Sequence, residues 1–277
     1  MPELPEVETV CLALSKIVNN AEIVDIEIHR RDLRWKIKKS LKNDLENDFF
    51  KHPLRRGKYI LIPTIKDNIL LIHLGMSGQI KIRDKFESIF KHDHVRITIK
   101  SKNDKMYFIT YNDPRRFGYI DLFHKKEISE HFLLKKLGVE PFEKKLNVGY
   151  LQIIFEKKIK CIKDTLMDQS VIAGIGNIYA SEILFKAKVN PYRSVKTLKK
   201  TEIKSIINAT RQILKKSISV GGTTLQNHLQ PSGKLGYFFQ ELEVYGKKNK
   251  NCIKCKQSIS VTVISNRSTY FCNNCQI

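Results

Sequence analysis

Cys252-Ile253-Lys254-Cys255 and, after 16 intervening residues, Cys272-Asn273-Asn274-Cys275 form two Cys-x-x-Cys pairs. That spacing lets two knuckles offer four thiolates to one tetrahedral ion, and four thiolates leave no open coordination position. A zinc ion held there is structural. Between the pairs, Ile259, Val261 and Val263 alternate with polar residues before Ser265-Asn266-Arg267-Ser268, and the strand-like Thr269-Tyr270-Phe271 follows. This reads as a β-hairpin tied at its base by metal. Two unrelated redox pairs are the competing reading, and the hairpin pattern between them argues against it. Arg267, at the tip, is either simply solvated or a phosphate contact on a basic hairpin.

Upstream of this module the apolar period is helical from Leu146 to Val220, most clearly in Ile203, Ile206, Ile207, Thr210, Ile213 and Leu214. Gly221-Gly222 is placed to stop the last helix, and a Gly-rich polar stretch runs on to Gly236. Nearer the N-terminus the period is two. Val24, Ile26 and Ile28 alternate with Asp25, Glu27 and His29, and Val95, Ile97 and Ile99 with Arg96, Thr98 and Lys100. Further strand-like runs lie at Tyr59 to Ile62, Ile69 to Leu74, Gln79 to Ile82, Met106 to Tyr111 and Tyr119 to Phe123. Val7, Val10, Cys11, Leu14, Ile17 and Val18 take helical spacing after Pro5, a residue suited to a helix start. The expected fold is α+β: a β-sandwich with a terminal helix over 1–130, a helical domain over 131–240 and a cysteine hairpin over 241–277.

The 277 residues include 50 Lys and Arg against 28 Asp and Glu, a formal charge of +22. Such a surface attracts polyanions, so nucleic acid is the first partner to consider, with compositional bias as the plain alternative. No apolar run reaches the ~18 to 20 residues of a membrane span. The opening Met1-Pro2-Glu3-Leu4-Pro5-Glu6 lacks the basic start and apolar core of a secretory signal. A soluble, cytoplasmic protein is expected. Of six cysteines, four fall within the last 26 residues, a distribution that favours metal over disulfides.

Loss of Met1 would expose the secondary amine of Pro2, and an α-amino group with a pKa near ~8 is partly unprotonated and nucleophilic at neutral pH. Glu3 and Glu6 stand beside it as proton carriers. Taken locally, the same residues also read as a proline helix start with acids favouring the helix dipole. Other segments decide between the two. Pro2-Glu3-Leu4-Pro5-Glu6-Val7-Glu8-Thr9, His73-Leu74-Gly75-Met76-Ser77-Gly78, Asp113-Pro114-Arg115-Arg116-Phe117-Gly118, Gly174-Ile175-Gly176-Asn177-Ile178-Tyr179-Ala180-Ser181-Glu182 and the four terminal cysteines resemble, in order along the chain, the bacterial formamidopyrimidine-DNA glycosylases.

That resemblance implies a β-sandwich, a helix-two-turn-helix domain and a zinc finger, a monomer acting on double-stranded DNA that contains an oxidised base. It implies attack of Pro2 on the deoxyribose C1′, with Glu3 as the main acid/base, Lys58 acting in elimination and Arg267 as the zinc-hairpin arginine. Lys58 taken alone is an ordinary surface lysine before a strand. The resemblance assigns Met76, Arg115 and Phe117 to filling the gap left by a flipped nucleotide, and His92, Arg115, Lys158, Lys163 and Asn177 to DNA contacts. Lys163 is followed by Asp164 where many relatives carry proline, and the stretch from Gln226 to Gly236 is individual to this chain. The related endonuclease VIII type, specific for oxidised pyrimidines, and a non-catalytic DNA-binding zinc protein are the competing functions. Leu4 and the Asp113 to Gly118 motif favour the purine enzyme over the first, and intact Pro2, Glu3 and Lys58 argue against the second.

Overall fold

The computed structural model describes residues 2–223 and 237–277, so the individual stretch from Gln226 to Gly236 lies outside the described residues. It divides into two compact units, Met1–Lys135 with Val220–Phe239, and Lys136–Ser219 with Gln240–Ile277.

In the first unit α1 (Leu4–Val18) carries Pro5 in its first turn and buries Val7, Val10, Cys11, Leu14 and Val18, one stripe at helical spacing. Two antiparallel four-stranded sheets follow. One has the order β1 (Glu22–Ile28), β6 (Asp93–Lys100), β7 (Met106–Asn112), β5 (Gln79–Arg83); the other runs β2 (Leu54–Arg56), β3 (Tyr59–Pro63), β4 (Asn68–His73), β8 (Tyr119–His124). Ile23, Ile26, Ile97, Ile99 and Ile109 of the first sheet share one apolar cluster with Ile60, Ile62, Leu70, Ile72, Ile120 and Leu122 of the second. This is the expected sandwich, with α1 packed into the same core and a short helix, α2 (Leu41–Leu45), beside it.

Two strands depart from simple alternation. The pairing of β1 with β6 shifts register between Ile23 and Asp25, so Ile23 and Ile26, three positions apart, are both buried while Val24 is exposed. The expected face of Val24, Ile26 and Ile28 is therefore broken by a bulge. On β6 the polar Arg96 and Thr98 are buried along with Val95, Ile97 and Ile99, because this strand lies between two others and Arg96 is covered by the Phe86 ring at 4.9 Å.

The second unit holds α3 (Val148–Glu156), α4 (Ile162–Met167), α5 (Asn177–Ala187), α6 (Lys200–Ser219) and the hairpin β9 (Ser260–Ile264) with β10 (Arg267–Phe271). The helix α6 buries all six residues of its expected stripe and stops before Gly221 and Gly222, whose φ angles of 83° and 80° no continuing helix adopts. Every residue from Ile178 to Phe185 of α5 is buried, as suits a central helix. Its Glu182 carboxylate accepts the backbone N–H groups of Glu243, Val244 and Tyr245 at 2.9, 3.0 and 2.8 Å, and Phe185 shares a core with Val244, Cys252, Ile259 and Cys272. Because of these ties the hairpin packs as part of the helical unit, and the segment from Val220 joins the first unit, so packing does not follow the 131–240 and 241–277 division one for one. Among the described residues no helix is long and apolar enough to cross a membrane.

Candidate active site and nucleic-acid interface

At the head of α1, Pro2 and Glu3 are both buried. The Glu3 N–H donates to Glu6 Oε2 at 2.8 Å, and Glu6 Oε1 accepts the Thr223 N–H at 2.7 Å. One carboxylate thus fixes the peptide that follows Pro2 and binds it to the Gly222-Thr223 backbone. A Cβ on Gly222 would stand 3.1 Å from that same Oε1. Lys58 follows Gly57 in the two-residue turn of the β2–β3 hairpin, whose end pair is Arg56 and Tyr59. Arg55 on this hairpin donates from Nε to Glu8 Oε2 of α1 at 2.5 Å. At 7% exposure, Lys58 is not the ordinary surface lysine its local sequence permits.

The two motif loops of the sandwich share a hub, Asp113, which is fully buried. Its Oδ1 accepts the Ser77 hydroxyl at 2.5 Å, and its Oδ2 accepts the Tyr111 hydroxyl at 3.1 Å and the Gly118 N–H at 2.8 Å. Ser77 Oγ in turn accepts the Arg115 N–H at 3.1 Å, so the Met76 loop and the Arg115–Phe117 loop are cross-linked through one carboxylate. Burial and the nearby Asp113 charge push the Tyr111 phenol upward, keeping it a donor. Gly75, at φ 62°, has no room for a side chain, since a Cβ would lie 2.4 Å from the Phe117 carbonyl carbon. On this rigid base Met76 and Phe117 stay 43% and 42% exposed, and the Arg115 guanidinium lies 4.7 Å over the Phe117 ring. Two apolar side chains and one stacked cation thus stand exposed together on loops cross-linked through Asp113.

His92 takes a left-handed φ of 75°, and its carbonyl accepts the Asp113 N–H at 3.0 Å, so it is positioned by the same hub. Nearby, His73 Nδ1 accepts the Gly75 N–H at 3.2 Å. Burial first, then the charges of Lys58 and Arg34, lower the His73 pKa to about 4, which keeps that acceptor unprotonated.

Lys158, Lys163, Asn177, Arg267 and the four cysteines belong to the second unit. Lys158 Nζ donates to Asp168 Oδ2 at 2.6 Å; burial alone would raise the Asp168 carboxyl, but Lys158 and Ser170 hold it below its usual value. Lys163 is 1% exposed, and its ammonium donates to Asn177 Oδ1 at 2.8 Å and Thr269 Oγ1 at 2.9 Å. Asn177 opens α5, and its Nδ2 donates to the Ser268 carbonyl at 2.9 Å. Arg267 is exposed at the start of β10. The four cysteine sulfurs all lie within 4.8 Å of one another, with 3.9 Å between Cys252 and Cys275 and 3.4 Å between Cys255 and Cys272. Metal–sulfur bonds of ~2.3 Å in a tetrahedron set sulfur pairs near ~3.8 Å apart, so the cluster fits one four-coordinate ion.

Family models for the formamidopyrimidine-DNA glycosylase N-terminal domain and H2TH domain match residues 1–120 and 137–228. Formamidopyrimidine-DNA glycosylases from Ruthia magnifica subsp. Calyptogena magnifica and Bartonella henselae are 44% and 39% identical, each alignment covering 100% of both chains. The chain belongs to the formamidopyrimidine-DNA glycosylase family.

Solved structures of the family agree. A Lactococcus lactis FPG mutant in complex with a Fapy-dG containing DNA superposes with a TM-score of 0.91 at 31% identity, covering 99% of each chain. MutM in complex with carbocyclic 8-oxo-G containing DNA gives 0.89 at 32%, again over 99% of each. Within this formamidopyrimidine-DNA glycosylase fold, Ser77, Asp113 and Glu182 lie inside the motifs but have no role that the sequence alone makes legible. For Asp113 and Glu182 the sequence shows only an acidic residue in a glycine-containing loop or a helix, and for Ser77 only a hydroxyl; the partners they hold come from distant segments. Tyr111 and Thr223 carried no such signal.

Proposed function

We propose that this chain is a base-excision repair enzyme, a bifunctional glycosylase and abasic-site lyase that removes oxidised purines, formamidopyrimidines and 8-oxoguanine, from double-stranded DNA. The observation that carries the reading is the buried Pro2-Glu3 pair, with its following peptide fixed by Glu6, at the head of α1 in a member of this family. With Met1 removed, the Pro2 nitrogen attacks the deoxyribose C1′ and the damaged base leaves with the electron pair of the glycosidic bond. Glu3 delivers a proton to the opening sugar ring. The resulting iminium acidifies C2′, a proton leaves from there, and the 3′ phosphate departs in β-elimination with Lys58 assisting. Arg267 assists the second, δ-elimination, which releases the 5′ phosphate.

Met76 and Phe117 wedge into the stack while Arg115 offers donors to the orphaned base. His92, Lys158 and Asn177 contact the DNA, and the buried Lys163, assigned to the same interface, serves it by holding Asn177 and Thr269. Cys252, Cys255, Cys272 and Cys275 hold one structural zinc, which supplies no reacting group. Roles divide as catalysis in 1–130, DNA grip in 131–240 and the zinc finger in 241–277, in a monomer working in the cytoplasm.

Borohydride trapping on duplexes carrying one defined oxidised purine or pyrimidine tests this reading. A covalent adduct mapped to the Pro2 nitrogen, favoured by purine lesions, is expected. Retaining Met1 or adding a residue before Pro2 turns the amine into an amide and abolishes the adduct. Undiminished trapping in such a blocked protein, or a link mapped to Lys58, refutes the assignment.

A further inference from the structure

The hairpin turn that leads into Arg267 is held, within it and just after it, by residues of α4 and α5. After the turn, Lys163 reaches Thr269 Oγ1 and Asn177 reaches the Ser268 carbonyl, each at 2.9 Å. Within it, the Ser265 hydroxyl donates to Asp164 Oδ2 at 2.5 Å. Strands β9 and β10 pair Ile264 with Arg267, leaving Ser265 and Asn266 as a two-residue turn with φ angles of 47° and 59°. Such turns favour Asn, Asp or Gly at both places; Ser265 is the poorer fit, and left alone it would relax toward the right-handed region and open the turn.

We propose that Asp164 is a positioning residue: by accepting the Ser265 hydroxyl it keeps this turn closed and fixes the direction in which Arg267 leaves the hairpin. The proposal rests on the role given to Arg267 in the second elimination. A plain alternative exists, because Asp164 also lies in the first turn of α4, where a carboxylate favours the helix dipole whatever it touches. Ser265→Ala separates the two, since it removes the hydroxyl and leaves the carboxylate in place.

The test is hydrogen–deuterium exchange of the peptide 264–271 in the full-length, zinc-loaded protein, alongside the ratio of β,δ- to β-elimination products on an abasic duplex. Asp164→Ala and Ser265→Ala should each speed exchange at the turn by about fivefold, the factor one modest hydrogen bond carries. The double variant should be no faster than either single one. Asp164→Asn, which keeps an accepting oxygen, should stay near the parent. Both alanine variants should lower the β,δ share while the rate of adduct trapping through Pro2 holds. Parent-like exchange in Ser265→Ala would show that the carboxylate serves α4 alone and overturn the proposal. Faster exchange with an unchanged product ratio, where Arg267→Ala does change it, would overturn it equally. If Arg267→Ala itself leaves the ratio unchanged, the role of Arg267 fails and the proposal with it; persistence of the exchange effect distinguishes that failure.

Discussion

Asp113→Ala should unfold the sandwich unit far more readily than its single buried side chain implies. The truncation strands three buried donors at once, the hydroxyls of Ser77 and Tyr111 and the N–H of Gly118. Each unsatisfied buried donor costs ~1 to 3 kcal/mol, the hydroxyls at the lower end because they can rotate toward other acceptors. Removing a buried carboxylate returns part of this, since its own desolvation is relieved. The net expectation is a loss of about 3 to 5 kcal/mol, a large share of the ~5 to 15 kcal/mol typical of a folded domain. Asp113→Asn is the informative partner. Its oxygen can keep Gly118 and Tyr111 while its amide nitrogen faces Ser77 Oγ, so it should lose only about 1 to 2 kcal/mol. Urea unfolding followed by fluorescence reads this directly, because the only tryptophan, Trp35, packs 4.9 Å from Tyr119 in the same unit. A base analogue beside the lesion should report weaker duplex opening in both variants, as the Met76 and Phe117 loops lose their common support. An Asp113→Ala protein within 1 kcal/mol of the parent, by the ~1 ± 0.5 kcal/mol worth of one ordinary hydrogen bond, would refute the hub.

Two further outcomes follow from the same geometry. His73 is neutral in the folded chain with its pKa lowered to about 4, so the unfolded chain, titrating near ~6.5, binds more protons between those values; stability present above pH ~6.5 should fall as pH drops toward 4, by at most about 3 kcal/mol, and His73→Gln should flatten this in urea titrations against pH. Elemental analysis should find zinc near equimolar, and its removal by a chelator should loosen the Ser260–Phe271 hairpin and weaken DNA binding; full affinity in a verified zinc-free protein would remove the metal's structural role.

Whatever depends on near neighbours was legible in the sequence. The α1 stripe, the strand runs, the end of α6 at Gly221 and the paired cysteines each rest on a local period or spacing, and the structure has them where that chemistry places them. The motifs likewise pointed to the family without a contact being known. Tertiary structure alone decided what depends on partners far along the chain. A bulge exposes Val24, because register is settled by pairing with β6 and not by alternation within β1. Lys58, taken alone, reads as a surface lysine until neighbouring segments cover it, and Lys163, which the resemblance assigns to DNA contact, is buried by them as well. Asp113, Glu182 and Asp164 are ordinary acids in sequence; only folding brings Ser77, the Glu243–Tyr245 backbone and Ser265 to their oxygens. The physical reason is common to all of them: a buried polar group's value is set by its partner, and hydrogen bonds span about 3 Å of space however many residues separate their ends.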